Sequence, residues 1–367
     1  TLLANCGPAF ATCSDGSIGS ADCEDPSTLA QDLLQRRVDR TLATDPADER
    51  LGRLNQSTSA GASAVTAPFA LTPDGDNVNF KTSLTQWGSA LSAADQEALE
   101  AARKALGDDA SLPKAVKSPA PRFDLWAKGH RELFTESGTA TKEGSAFTTY
   151  LGADYRWHRK LLLGGMVQLD DSRQNIVEAP DAVGGQAFMV GPYFAYQLTP
   201  NVTFDARAAW GTSHDSAVVG ADTTSFATGR MLGEAKLSGS WGWDQWQLSQ
   251  IGAVTYLDET STEIVGVSAT SVDVARLSVG PELKRHIDIG NENSVEPFAF
   301  FRSSLDLADP GLAAPLAQNT VGGGVTLAKP HHYNVSATAD YTESTAGTDG
   351  VATGKVSVKL PSSLLGF

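Results

Sequence analysis

FTTYLGADYRWHRKLLLGGMVQL, residues 147–169, consists of two alternating runs joined by a turn. Phe147, Thr149, Leu151, Ala153, Tyr155 and Trp157 share one parity, and Thr148, Tyr150, Gly152, Asp154 and Arg156 share the other. A strand sends alternate side chains to opposite faces. One face is therefore apolar and ends in aromatics, while the other is polar and charged. After His158-Arg159 the pattern resumes, with Leu161, Leu163, Gly165, Val167 and Leu169 against Lys160, Leu162, Gly164, Met166, Gln168 and Asp170. A soluble sandwich alternates in the same way, so this hairpin alone leaves two readings open.

Repetition decides between them. Val202, Phe204, Ala206, Ala208 and Trp210 oppose Thr203, Asp205, Arg207 and Ala209. Ala275, Leu277, Val279, Pro281 and Leu283 oppose Arg276, Ser278, Gly280, Glu282 and Lys284. Tyr333, Val335, Ala337, Ala339 and Tyr341 oppose Asn334, Ser336, Thr338 and Asp340. Charges keep to one face and aromatics tend to cap the other, as where lipid lies outside, a wet polar lumen inside and aromatic girdles at both interfaces. The expected fold is an all-β transmembrane barrel of about twelve antiparallel strands from Phe123 onward. Short turns at 158–159, 199–201 and 329–331 alternate with longer connections at 135–145, 172–185, 213–224, 258–271 and 306–317, which are expected on the cell surface. The predicted lumen-lining side chains are Asp124, Lys128, Asp154, Arg156, Lys160, Asp205, Arg207, Arg276, Glu282, Lys284, Glu296 and Arg302.

Composition narrows the function classes. The 367 residues are 19% charged, and no apolar run is long enough for a spanning helix. That leaves a barrel open, because its outward apolar residues are only every second one. A net charge of −15 argues against nucleic-acid partners, whose phosphates call for Lys and Arg. The cysteines, Cys6, Cys13 and Cys23, are odd in number. One thiol is left over from any Cys13–Cys23 or Cys6–Cys23 bridge. The chain begins at Thr1 with no charged-plus-apolar leader, as a processed chain or a fragment would.

Residues 1–120 form an N-terminal region of Cys-containing loop, helices and linker, and the barrel domain covers 121–367. Leu29, Leu33, Leu34, Val38 and Leu42 predict a helix over 27–43, with Arg36, Arg37 and Arg40 on its other face. A second helix is expected over 92–107, between Ser92 and Gly107. Residues 44–91 are polar and low in pattern. Either helix could fill the lumen. Proximity to the first barrel strand favours 92–107, with Glu97, Glu100, Arg103 and Lys104 on the wall. The firmer amphipathic pattern, and arginines that need acidic partners such as Asp154, Asp205 and Glu296, favour 27–43. On balance 92–107 is the expected plug.

FDLWAKGHR at 123–131, LGADYRWHRKLLLGGMVQ, GPYFAYQL at 191–198, ARAAWGTSHD at 206–215, LSVGPELK at 277–284 and VEPFAFF at 295–301 resemble, in order and spacing, the outer-membrane translocator domain of type Va autotransporters. The resemblance covers roughly residues 120–367 and implies a twelve-strand barrel. It further implies a helix through the lumen, export of an N-terminal passenger to the cell surface, and outer-membrane lipid and lipopolysaccharide as surroundings. Phe367 would be the terminal aromatic presented to the barrel-insertion machinery. The chain departs from that pattern at Pro361, which interrupts the last strand, and in lacking β-helical repeats before the barrel. The alternatives are a stand-alone plugged barrel acting as adhesin, structural protein or pore, and a soluble periplasmic β-protein.

Catalysis, metals and cofactors are not expected. His286 and His331-His332 lack partners at zinc-ligand spacing. Gly322-Gly323-Gly324 lies in a strand rather than before a helix. Asp74-Gly75-Asp76 begins like a calcium loop, but Thr85 stands where the bidentate Glu belongs. Ser213, His214 and Asp215 are chain neighbours in an expected loop, too close in sequence to form a triad alone.

Overall fold

The structure is a computed structural model describing residues 26–44, 50–51, 69–74, 77–88, 121–137, 141–177, 179, 181–219, 222–261, 269–290, 293–308, 316–329, 333–344 and 351–359. One long helix, α1 (Pro26–Ala43), precedes the strands. The strands are β1 (Phe69–Asp74), β2 (Asn77–Ser83), β3 (Phe123–Ser137), β4 (Thr141–His158) and β5 (Leu161–Ile176). Then come β6 (Ala182–Thr199), β7 (Val202–Val219), β8 (Asp222–Trp243), β9 (Trp246–Ser261) and β10 (Ser271–Arg285). The last are β11 (Ile287–Gly290), β12 (Asn293–Ala308), β13 (Leu316–Lys329), β14 (Tyr333–Ser344) and β15 (Val351–Lys359).

These strands form one antiparallel sheet in sequence order, with the short β11 paired only to β12. The sheet curls until β1 and β15 come within 8 Å of each other, although no pairing joins them among the described residues. The fold is thus an all-β transmembrane barrel, with twelve long strands from Phe123 onward as the alternation predicts. Two further strands come from the region read as low in pattern. The β1–β2 hairpin lies against β3, with Val78 opposite Arg131 and Ser83 opposite Trp126. The final long strand stops at Lys359, ahead of Pro361, while Phe367 lies outside the described residues.

At one end, which we term the turn end, residues 159–160, 200–201 and 244–245 make two-residue connections. At the other end the connections range from two residues between Val219 and Asp222 to nine between Ser261 and Ser271. Asp244 takes the left-handed conformation that a two-residue hairpin turn requires (φ 53°). At the opposite, loop end the strands run further than their alternation suggests. Residues 172–185 and 213–224, expected as loops, are mostly strand.

The register of β5, β6 and β7 sorts the outer surface into lateral rows. From the turn end they read Leu161–Tyr196–Phe204, Leu163–Phe194–Ala206, Val167–Val190–Trp210 and Leu169–Phe188–Thr212. Large apolar side chains stay exposed there, Val190 at 51% and Trp210 at 52%. A contiguous exposed apolar belt is untenable in water. From Leu161 to Leu169 is about 27 Å of strand, or about 21 Å along the axis at the usual barrel tilt. That nearly fills the apolar band, about 25 Å tall, of outer-membrane barrels. The next rows, Asp171–Gln186–His214, Arg173–Gly184–Ser216 and Asn175–Ala182–Val218, are mainly polar. Among the described residues no helix is long and apolar enough to cross a membrane.

Candidate functional site: a helix held in the lumen

α1 lies against the inward faces of β5, β6, β7, β9 and β10. Leu, Gln, Arg and Ala favour the helix, and Pro26 opens its first turn, where its missing N–H costs nothing. The buried stripe is Leu29, Ala30, Leu33, Leu34, Arg37, Val38 and Thr41. Arg37, expected on the opposite face, therefore stands one turn beyond Leu33 on the stripe that meets the wall, as helical periodicity dictates.

The helix has a direction. Leu29, Ala30 and Leu33 pack with Ile176, Val183, Ala217 and Phe226, all at the loop end. Leu34 and Val38 pack lower, with Met166, Met189, Leu232 and Leu257. Asp32 pairs with Lys142, and Arg36 with Glu136, again near the loop end. Further along the chain, Arg50 reaches Asp124 and Asp154 near the turn end. The chain thus descends from the loop end toward the turn end.

Two ion-pair networks hold it. In the first, Arg37 donates through Nη2 to Asp215 Oδ1 and through Nη1 to Glu259 Oε1, both at 2.5 Å, with all three side chains fully buried. Arg230 extends the network, with Nη1 2.8 Å from Asp170 and Nε 3.1 Å from Glu259. Thr228 donates to Glu259 at 3.1 Å, and Ser213 donates to Asp215. Gln168 donates to Asp170 at 2.9 Å and reaches the Thr41 hydroxyl of the helix. Arginine keeps its charge under protein conditions, so these carboxylates need it to remain buried as anions. In the second network, Arg50 Nε donates to Asp154 at 2.7 Å and Nη2 to Asp124 at 2.6 Å, with its guanidinium over the Trp126 ring. Trp126 Nε1 donates to Tyr193 Oη at 2.8 Å, and Tyr193 donates to Asp154. Between the networks, Arg207 donates to the Thr44 carbonyl and to Glu234.

Of the residues predicted to line the lumen, Asp124 and Asp154 are brought together by Arg50, and Arg207 is buried. Arg276 pairs with Asp306 and, at 3.6 Å, with Asp39 of the helix. Asp205 faces Lys236 in register, and Lys128 faces Lys81. Arg156, Glu282 and Lys284 are half-buried toward the turn end, whereas Lys160 is exposed within a turn. Glu296 pairs with His286, and Arg302 is exposed and stacks on Phe300. Glu97, Glu100, Arg103 and Lys104 lie outside the described residues, as does the whole of 92–107. Arg50, Asp215, Arg230 and Glu259 were missed as lumen residues, and Asp170, though placed on the polar face of its strand, was not named among the lumen-lining side chains. Asp215 and Glu259 lie in segments read as loops, and the parity of their strands, continued past the apolar rows, is the signal that finds them.

Several chemical candidates take structural roles. Ser213 and Asp215 face the helix, while His214 between them faces outward. Strand alternation thus separates the three groups. A Cβ on Gly322 or Gly324 would overlap Phe300 or Phe298, so these glycines seat the two stacked rings. Among the described residues no group of three or more His, Cys, Asp or Glu could hold a metal ion. Between the helix and β3, a cavity of about 320 Å³ is lined by Arg36, Arg40, His130, Glu132 and Phe134 among others.

A sequence family described as "Putative MetA-pathway of phenol degradation" matches residues 114–228, less than half of the chain. No curated protein sequence matches the chain. Among solved structures, it is similar to the β domain of the Bordetella autotransporter BrkA, with 14% identity and a TM-score of 0.45, over 64% of this chain and 96% of that one. It is also similar to the translocator domain of the autotransporter NalP from Neisseria meningitidis, at 13% identity and a TM-score of 0.40, over 74% and 96%. The transport unit of AIDA-I from Escherichia coli gives 13% and 0.36, over 71% and 97%. The class of the chain rests on its own geometry: a β-barrel with an apolar outer belt and a helix bound inside.

Proposed function

We propose that the protein is an outer-membrane translocator barrel that displays the segment preceding α1 on the cell surface. One observation carries this reading: the direction of the helix. Its N-terminal half packs at the loop end, and Arg50 is held near the turn end. A chain threaded this way delivers whatever precedes Pro26 to the loop side. Outer-membrane barrels carry their longer loops outside, so that side is the cell surface. The partners are then outer-membrane lipid, the insertion machinery acting on Phe367, and a passenger joined ahead of the helix. No catalytic step belongs to this reading.

The test is an epitope joined ahead of Thr1 in the secreted, membrane-inserted chain. Antibody binding on intact cells is expected. Binding only after permeabilisation would overturn the direction, and with it the function. The buried network around Arg37 also supports a second reading, a permanently plugged barrel with no passenger. The same epitope separates the two if it is followed by a folded cargo domain, which a translocator exports and a mere plug does not.

A further inference from the structure

Just beyond the apolar rows, the outer face of β5–β7 carries a groove of about 340 Å³. Asp171, Arg173, Asn175, Gln186 and Ser216 line it, with Gly184 at its centre. The register puts Arg173, Gly184 and Ser216 in one lateral row, so the missing side chain at Gly184 leaves a slot between a guanidinium and a hydroxyl. A Cβ at Gly184 would lie 2.7 Å from the Ser172 carbonyl and 3.3 Å from Arg173 Cγ. The slot is therefore confined.

We propose that this groove binds a phosphorylated saccharide, the headgroup of the glycolipid surrounding the barrel at its loop end. Depth is the first ground. The groove begins one row above Leu169–Phe188–Thr212, where acyl chains give way to headgroups. Chemistry is the second. Arg173 is 76% exposed and lies 3.9 Å from Asp171, a loose pair that leaves its planar guanidinium open to a phosphate. Asn175, Gln186 and Ser216 offer both donors and acceptors to sugar hydroxyls. Asp171 accepts from Gln186 at 3.1 Å and has lone pairs left for a hydroxyl. Size is the third. Three rows on three strands cover about 14 by 10 Å, too wide for one phosphate and suited to a disaccharide.

The site rests on the membrane-barrel reading, so the experiment checks both. The full chain, folded in detergent micelles, is mixed with equal amounts of lipid A and phosphatidylglycerol, and retained lipid is counted by native mass spectrometry. Heat-dependent mobility on gels reports the folded barrel separately. Wild type should retain lipid A in preference. The Arg173→Ala, Asn175→Ala double variant and a slot-filling Ser216→Trp variant, both with unchanged mobility, should retain it about tenfold less. Equal retention of the two lipids by wild type, or undiminished retention by either folded variant, overturns the site. A wild-type chain that shows no heat-dependent mobility overturns the barrel reading beneath it.

Discussion

Arg37 of α1 and Glu259 of β9 are separated by 222 positions in the chain, and their charged atoms lie 2.5 Å apart with no exposure to solvent. Removing one partner of such a pair strands the other as a buried charge. Arg37→Leu should therefore destabilise the folded chain by about 3–5 kcal/mol, since Asp215 loses its arginine and Glu259 is left with Arg230. Arg36→Leu, which breaks a partly exposed pair with Glu136, should cost less than about 1 kcal/mol. Urea titration of heat-dependent gel mobility measures both. Equal midpoints for the two variants would show that the buried network does not hold the helix.

The barrel was legible because a period of two survives wherever one face meets lipid. Beyond the lipid it fades. Asp171, Arg173 and Asn175 face outward while Asp170, Ser172 and Gln174 face inward, so 172–185 reads as a polar loop although both its ends are strand. The same blurring hid Asp215. The helix seen in the lumen is α1, whose Arg37 meets buried carboxylates that proximity in sequence says nothing about, while 92–107 lies outside the described residues. Strand parity gives the side of a residue but not what covers it there, so Gln168, expected to face a wet lumen, is instead buried beneath Thr41. The β1–β2 hairpin is only six and seven residues per strand, too short for alternation to stand out from its polar surroundings.

The outer belt makes a direct prediction. Val190 is half exposed in the row with Val167 and Trp210, so Val190→Arg puts a cation against acyl chains. The cost should be about 2–4 kcal/mol near the bilayer midplane. Ser216→Arg, two polar rows above the belt, should be tolerated. Folding equilibria in phospholipid vesicles check this, and equal penalties at the two positions would remove the membrane assignment.

Charge balance inside the barrel predicts what happens without the helix. Asp170, Asp215 and Glu259 face Arg37 and Arg230, with Arg40 donating to Ser172 nearby. Deleting residues 26–51 leaves the three carboxylates with Arg230 alone among these arginines. The vacated lumen should conduct more than wild type in planar bilayers, and it should prefer cations. Unchanged conductance would mean that another part of the chain closes the pore; anion preference would mean that these carboxylates do not face it.

Ser213 and His214 test the loop-end strands residue by residue. If β7 continues past the apolar belt, neighbouring positions must differ sharply in access: Ser213 is fully buried against the network around Arg37, and His214 is exposed on the outer face. With Cys6, Cys13 and Cys23 replaced by Ser, the Ser213→Cys and His214→Cys variants are treated on intact cells with a membrane-impermeant maleimide. His214→Cys should label if the loop end is the surface side as proposed, because its row lies beyond the acyl chains. Ser213→Cys should stay silent until urea releases α1, then label fully. A mobile loop at 213–224 would label at both positions, and a β7 end facing the periplasm would label at neither until the cells are permeabilised.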